Sequence, residues 1–101
     1  GTVKNLAFLV DMLPAGSTWS VSGIGKAHMP MLLAALAMGA DGVRVGLEDN
    51  IMYGVDEKGN KIVGTNEQFV KRAVELAKLA GRGIATAQEA REILGITRKC
   101  L

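Results

Sequence analysis

The stretch GVRVGL at residues 42–47 decides the fold class of this 101-residue chain. The apolar side chains of Val43, Val45 and Leu47 alternate with Arg44 and with glycine. An alternation with a period of two is typical of a β-strand, because successive side chains of a strand point to opposite faces. The sequence therefore predicts a strand over residues 42–47, with an apolar face that packs on helices.

A second stretch of this kind lies upstream and is joined to the first by a helical segment. TWSVSGI at residues 18–24 alternates polar side chains with β-branched or aromatic ones, which predicts a strand. Residues 28–38 are strongly apolar, carry Pro30 in the first turn and end before Gly39, which predicts a helix. A strand, a helix and a strand in this order predict parallel pairing through a right-handed crossover.

The flanking segments predict further helices. Residues 3–13 carry an apolar stripe of helical period, whereas residues 48–65 resemble a loop, with a small hairpin tipped at residues 58–61.

Two Thr-x-x-Gln/Glu patterns follow this loop. Thr65 with Gln68, and Thr86 with Glu89, match capping boxes that open helices, the second of which ends near Gly95.

Two parallel strands do not form a stable sheet alone, because parallel sheets are covered on both faces. A (β/α)8 barrel needs roughly 250 residues. We therefore interpret residues 1–101 as part of an α/β barrel domain, or as a core that needs a partner.

The composition excludes several classes of protein. Apolar residues make up 49% and charged residues 22%, which excludes a disordered chain. The net charge of +2 is unclustered, so we expect no nucleic-acid partner. The longest apolar run, residues 29–38, is shorter than the roughly 20 residues of a membrane span, so no membrane partner is expected. The single cysteine, Cys100, excludes an intrachain disulfide and fits a cytoplasmic location.

Charged side chains follow the second strand directly. If the strand continues, Arg44 and Glu48 share one face about 13 Å apart, and Asp49 lies at the carboxyl end. In a barrel this face lines the lumen, and the carboxyl ends of the strands hold the chemistry. The alternative is a structural ion-pair row or a solvated strand end, since ionic rows also occur without function.

Four segments together resemble one enzyme family. They are RVGLEDN at residues 44–50, GSTWSVSGIG at 16–25, Thr-Asn at 65–66 and ATAQEAREILG at 85–95. The combination is similar to the β-keto acid cleavage enzymes, and the resemblance covers nearly the whole chain. It implies a (β/α)8 TIM barrel of which this chain holds the last two βα units.

The resemblance also implies a chemistry. Enzymes of this family convert a β-keto acid and acetyl-CoA into acetoacetate and a new CoA thioester, with a catalytic zinc ion. At matching positions, Glu48 is implied as a zinc ligand, Asp49 as the acid/base residue and Arg44 as its cationic partner. The two histidine ligands of the family's His-x-His motif are absent, because His28 is the only histidine. We therefore expect the chain alone to be inactive, and the complete protein to be a homo-oligomer.

The remaining residues of interest leave alternatives open. Gly23 and Gly25 lie between a strand and a helix, where backbone N–H groups suit a phosphate such as that of CoA. A simple packing turn explains the same two glycines, and we favour it. His28 is interpreted as a surface or cap residue. For the chain as a whole, the alternatives are a small non-catalytic interaction module and a CoA- or phosphate-binding module without zinc.

Overall fold

The computed structural model describes residues 1–97, so Cys100 lies outside the described residues. The elements are α1 (Val3–Asp11), β1 (Ser20–Ser22), α2 (His28–Met38), β2 (Gly42–Arg44), β3 (Met52–Val55), β4 (Lys61–Val63), α3 (Asn66–Leu79) and α4 (Ala87–Leu94). The fold is of the α/β class, as the sequence predicts. Within the described range, no helix is long and apolar enough to cross a bilayer.

β1 and β2 form the parallel pair that the sequence predicts. Ser20 lies opposite Gly42, and Ser22 lies opposite Arg44. The connection between them is α2, whose bounds agree with the predicted helix over residues 28–38. The Asp41 carboxylate accepts a hydrogen bond of 2.9 Å from the backbone N–H of Trp19, which ties the beginnings of the two strands together.

The core lies where α2 meets the two strands and α3. The buried apolar residues are Met31, Leu32, Ala35, Ala40, Phe69, Ala73 and Ala77. Four of the seven are alanines, and Phe69, at 1% exposed, is the most enclosed large side chain among the described residues. The two predicted capping boxes are both present and fix the N-termini of α3 and α4. The core is therefore built mostly of small residues packed around Phe69.

The second strand is shorter than predicted. β2 ends at Arg44 rather than at Leu47, because Gly46 has a φ of 137° and the chain turns there. The backbone N–H groups of Asp49 and Asn50 both donate to the Gly46 carbonyl at 3.2 Å. The predicted strand over residues 42–47 is therefore three residues too long at its C-terminal end.

The predicted loop contains the hairpin suggested by its sequence. β3 and β4 pair antiparallel, with a register shift between Met52 and Gly54. The connecting turn is held by the Asp56 carboxylate, which accepts from the backbone N–H groups of Lys58 and Asn60.

The interpretation of His28 as a surface or cap residue is wrong. The residue is 3% exposed, its Nδ1 is 3.1 Å from the Gly23 carbonyl oxygen, and its ring meets that of Phe69 edge to face. In contrast, α1 buries none of its residues, and the side chains of Phe8, Leu9 and the C-cap residue Met12 are more than 60% exposed.

Candidate active site

The turn after β2 gathers three charged side chains at the carboxyl end of the parallel pair. Arg44 donates to both oxygens of Asp49, from Nη2 at 2.7 Å and from Nε at 3.0 Å. The same Nη2 lies 3.1 Å from a Glu48 oxygen. The expected separation of about 13 Å between Arg44 and Glu48 is therefore wrong, because it assumed an extended strand.

The two adjacent carboxylates lie in opposite environments. The side chain of Asp49 is 2% exposed, whereas that of Glu48 is 86% exposed. A buried carboxylate is stable when a cation and hydrogen bonds replace its water, and the two-pronged contact with Arg44 does this. The exposed Glu48 carboxylate pairs with Arg44 through one oxygen, and its other lone pairs face solvent.

The charge of Arg44 is reinforced by this arrangement. The hydrogen bond to Asp49 raises the pKa of the Arg44 guanidinium above its ordinary value, and the charges of Asp49 and Glu48 add to this effect. A guanidinium that pairs with two carboxylates keeps its own charge and can still offer a face to an anionic group.

Two residues outside the cluster hold the turn in place. Asn66, at the beginning of α3, accepts a hydrogen bond of 2.8 Å from the backbone N–H of Leu47 through Oδ1. Gly25 donates its N–H to the Asp49 carbonyl at 2.9 Å. Sequence reasoning noted Asn66 only as part of a family match. The sequence signal for this contact was an asparagine directly after a capping threonine, because its side-chain oxygen can accept a hydrogen bond.

The Gly23–Gly25 turn has a packing explanation. A Cβ on Gly23 would lie 2.4 Å from the Ala27 carbonyl oxygen and 2.8 Å from the His28 Cα. Gly25 has a φ of 56° and open space around its Cα, but its N–H is already used by Asp49. These contacts account for both glycines without a bound phosphate.

Hydroxyl groups continue the polar face of the sheet. In a parallel pair, residues in register share a face, so Ser20 and Ser22 lie on the face that carries Arg44. Both serines are exposed. The face therefore offers two hydroxyls, a guanidinium and the Glu48 carboxylate on one side of β1 and β2.

The described residues contain no complete metal centre. Across residues 1–97, no three side chains of His, Cys, Asp or Glu come together as a metal-binding group. His28 is turned inward to Gly23 and Phe69, and Asp49 is occupied by Arg44. Glu48 is thus the residue of this cluster whose carboxylate remains exposed to solvent.

Comparison with known proteins identifies the family of the chain. The family model described as beta-keto acid cleavage enzyme matches residues 1–96. The chain belongs to this family. The family resemblance of the sequence is thereby confirmed, and the match includes the whole Arg44–Asp49 turn, α3 and α4.

The relatives within the family carry related names. The chain is 41% identical to a 3-keto-5-aminohexanoate cleavage enzyme of Fusobacterium nucleatum and 42% identical to one of Acetoanaerobium sticklandii, each over 96% of this chain and 34% of the relative. Over 90% of its length, the chain is 36% identical to a 3-dehydrocarnitine:acetyl-CoA trimethylamine transferase of Rhizobium meliloti. This match covers 28% of the relative. The chain therefore spans about one third of the length of the curated relatives that it matches.

Proposed function

We propose that this chain is the C-terminal part of a (β/α)8 barrel enzyme that cleaves a β-keto acid with acetyl-CoA. The products are acetoacetate and a new CoA thioester. Membership of the family supports the reaction class, and the names of the relatives support acetyl-CoA as the second substrate. The parallel β1–α2–β2 unit, with charged side chains at its carboxyl end, fits the active-site end of such a barrel.

The single observation that carries the proposal is the split between the two neighbouring carboxylates. One side chain is fully engaged by a guanidinium and the other extends into solvent, although they are adjacent in sequence. Both carboxylates pair with Arg44, as in a structural ion-pair row, but Asp49 alone of the two is enclosed and bound through both oxygens. Separation of their environments is how a site assigns different roles to two like groups.

Glu48 is proposed as one ligand of a catalytic zinc ion. Such sites use three protein ligands and one open position, so the other ligands come from outside this chain. When bound, zinc supplies Lewis-acid polarisation of the keto oxygen. The exposed Glu48 carboxylate suits a zinc ion that residues from another part of the protein also bind. Within residues 1–97 its side chain forms an ion pair with Arg44 alone.

Asp49 is proposed as the acid/base residue and Arg44 as its cationic partner. Each Asp49 oxygen accepts one N–H of Arg44 and retains a lone pair for a proton. The Arg44 side chain is 56% exposed, so a substrate can approach the guanidinium from the solvent side. Arg44 also places a positive charge beside the incoming keto acid.

Three substitutions in the full-length protein test these roles. Glu48→Ala removes the zinc and abolishes turnover, because it deletes a ligand. Asp49→Asn retains the zinc and loses most of the rate, since general acid–base catalysis contributes about 10²- to 10⁴-fold. Arg44→Ala retains the zinc and lowers the rate, because Asp49 loses both donors. Zinc content measured by mass spectrometry beside turnover separates the three outcomes.

A matched control lies in the hairpin turn. Glu57 is an exposed carboxylate outside the cluster, so Glu57→Ala leaves zinc content and turnover unchanged. Full zinc occupancy in Glu48→Ala, or normal turnover in Asp49→Asn, contradicts the assigned roles. A wild-type protein that binds CoA without cleaving keto acids supports a binding module instead.

The isolated 101-residue chain is expected to bind no zinc tightly and to be inactive, because one carboxylate does not hold the ion. The complete protein is expected to be a homo-oligomer. The exposed apolar side chains of Phe8 and Leu9 in α1 and of its C-cap residue Met12 support burial of this helix in the complete protein. A monomer in light scattering of the full-length protein at micromolar concentration contradicts the oligomer.

A further inference from the structure

The turn that carries Glu48 and Asp49 is held from outside by one side chain. β2 ends at Arg44, and the next four residues form neither strand nor helix. Within the turn, backbone bonds run to the Gly46 carbonyl from Asp49 and Asn50. Leu47, the residue directly before the two carboxylates, instead donates its N–H to Asn66 Oδ1 at 2.8 Å.

Asn66 is itself held rigidly. It is the first residue of α3, and the capping box formed by Thr65 and Gln68 fixes the backbone on either side of it. The helix is anchored in turn by Phe69, which is 1% exposed. A side chain on the first turn of a well-capped helix is a precise support, because its backbone has little freedom.

Gly46 is shaped to admit this contact. A Cβ at this position would lie 3.0 Å from Asn66 Oδ1, and residues with a side chain rarely adopt a φ of 137°. Gly46 therefore leaves free the space next to the Asn66 acceptor that a side chain would crowd.

We infer that Asn66 is a positioning residue for the active site. Its amide oxygen fixes the Leu47 backbone and thereby sets the direction in which Glu48 and Asp49 leave the turn. This inference rests on the proposed function, because it matters for catalysis only if those two carboxylates act there. Asn66 itself is placed outside the reacting groups.

Substitution of Asn66 in the full-length protein tests the inference in two measurements. Asn66→Leu removes the acceptor at similar volume, and kcat falls about 10- to 100-fold, the loss expected of a displacement of about 1 Å. KM for acetyl-CoA stays within about twofold, because the substitution does not change how this substrate is bound in the ground state. By hydrogen exchange, the amides of residues 45–50 exchange faster than in the wild type.

Two comparison variants distinguish positioning from general destabilisation. Asn66→Asp keeps an acceptor oxygen and suits a helix N-terminus, so it restores both kcat and amide protection. Glu67→Gln, an exposed change in the same turn of α3, alters neither. If Asn66→Leu fails to fold, the smaller Asn66→Ala replaces it in both measurements.

The outcomes separate this inference from the proposed function. Wild-type kcat in Asn66→Leu, unaltered exchange of residues 45–50, or an equal loss in Glu67→Gln overturns it. Failure of Asn66→Asp to restore either quantity also overturns it. If the wild-type protein cleaves no β-keto acid, the proposed function fails, and hydrogen exchange alone still decides whether Asn66 holds the turn.

Discussion

Replacement of Gly23 by alanine tests whether this glycine serves packing or a ligand. The new Cβ would lie 2.4 Å from the Ala27 carbonyl oxygen and 2.8 Å from the His28 Cα, and both are backbone atoms that a rotamer change does not relieve. Overpacking of this kind costs about 1–3 kcal/mol. Displacement of the turn also stretches the buried contact between Gly23 and the His28 ring, and an unmade buried hydrogen bond costs about 1–3 kcal/mol.

We therefore expect Gly23→Ala to lower the free energy of unfolding by about 2–6 kcal/mol, from the sum of these two costs. Chemical denaturation of the full-length protein, followed by circular dichroism, measures this loss. Gly25→Ala is the matched control, because its Cβ would meet open space and only its φ of 56° is unfavourable. That strain costs about 1–2 kcal/mol.

A Gly23→Ala variant that loses less stability than Gly25→Ala would refute the packing argument. The same two variants test a CoA contact at this turn. If the glycines bind phosphate, KM for acetyl-CoA rises in variants that remain folded, whereas a packing role leaves KM unchanged once stability is accounted for.

Three further predictions concern the elements around the site. Phe69→Ala lowers the free energy of unfolding by about 3–5 kcal/mol in a denaturant titration, because it empties the centre of the core. Thr86→Ala removes the N-cap of α4 and costs about 1 kcal/mol in the same measurement, whereas Thr86→Ser retains the cap. The pKa of Asp56 lies below its ordinary value, first because the backbone N–H of Asn60 donates to it. A carboxylate with a lowered pKa stabilises the fold above its unfolded pKa of about 3.9 and loses this contribution as the pH falls through its folded pKa. NMR titration of the Asp56 carboxyl carbon checks the direction, and Asp56→Asn removes the acid-dependent step.

Local signals in the sequence predicted the elements well because local physics determines them. Thr65 with Gln68, and Thr86 with Glu89, form the two capping boxes, since their donors and acceptors lie within one turn. The parallel pairing of residues 18–24 with 42–47 followed from chain connectivity. The strand ends were misjudged, because alternation continues in the sequence through Leu47 while the backbone bends at Gly46.

Tertiary contacts account for what the sequence did not reveal. His28 follows a glycine turn and precedes a proline, which is typical of an exposed cap, but the ring of Phe69, about forty positions later, encloses it. The hydrogen bond from Leu47 to Asn66 likewise joins residues that are 19 positions apart. No periodicity or motif in the sequence specifies which side-chain oxygen accepts a hydrogen bond from a backbone N–H in a turn.

The Arg44–Asp49 segment shows how one glycine can create two environments from two adjacent carboxylates. In an extended strand, Glu48 and Asp49 would point to opposite faces, and Arg44 would lie too far from either for a direct contact. The turn at Gly46 brings the guanidinium within 2.7 Å of Asp49 and 3.1 Å of Glu48. Because Arg44 offers two parallel donors, it binds the inner carboxylate by both oxygens and reaches the outer one by a single nitrogen. Asp49 is thereby paired and enclosed, whereas Glu48 remains exposed to solvent.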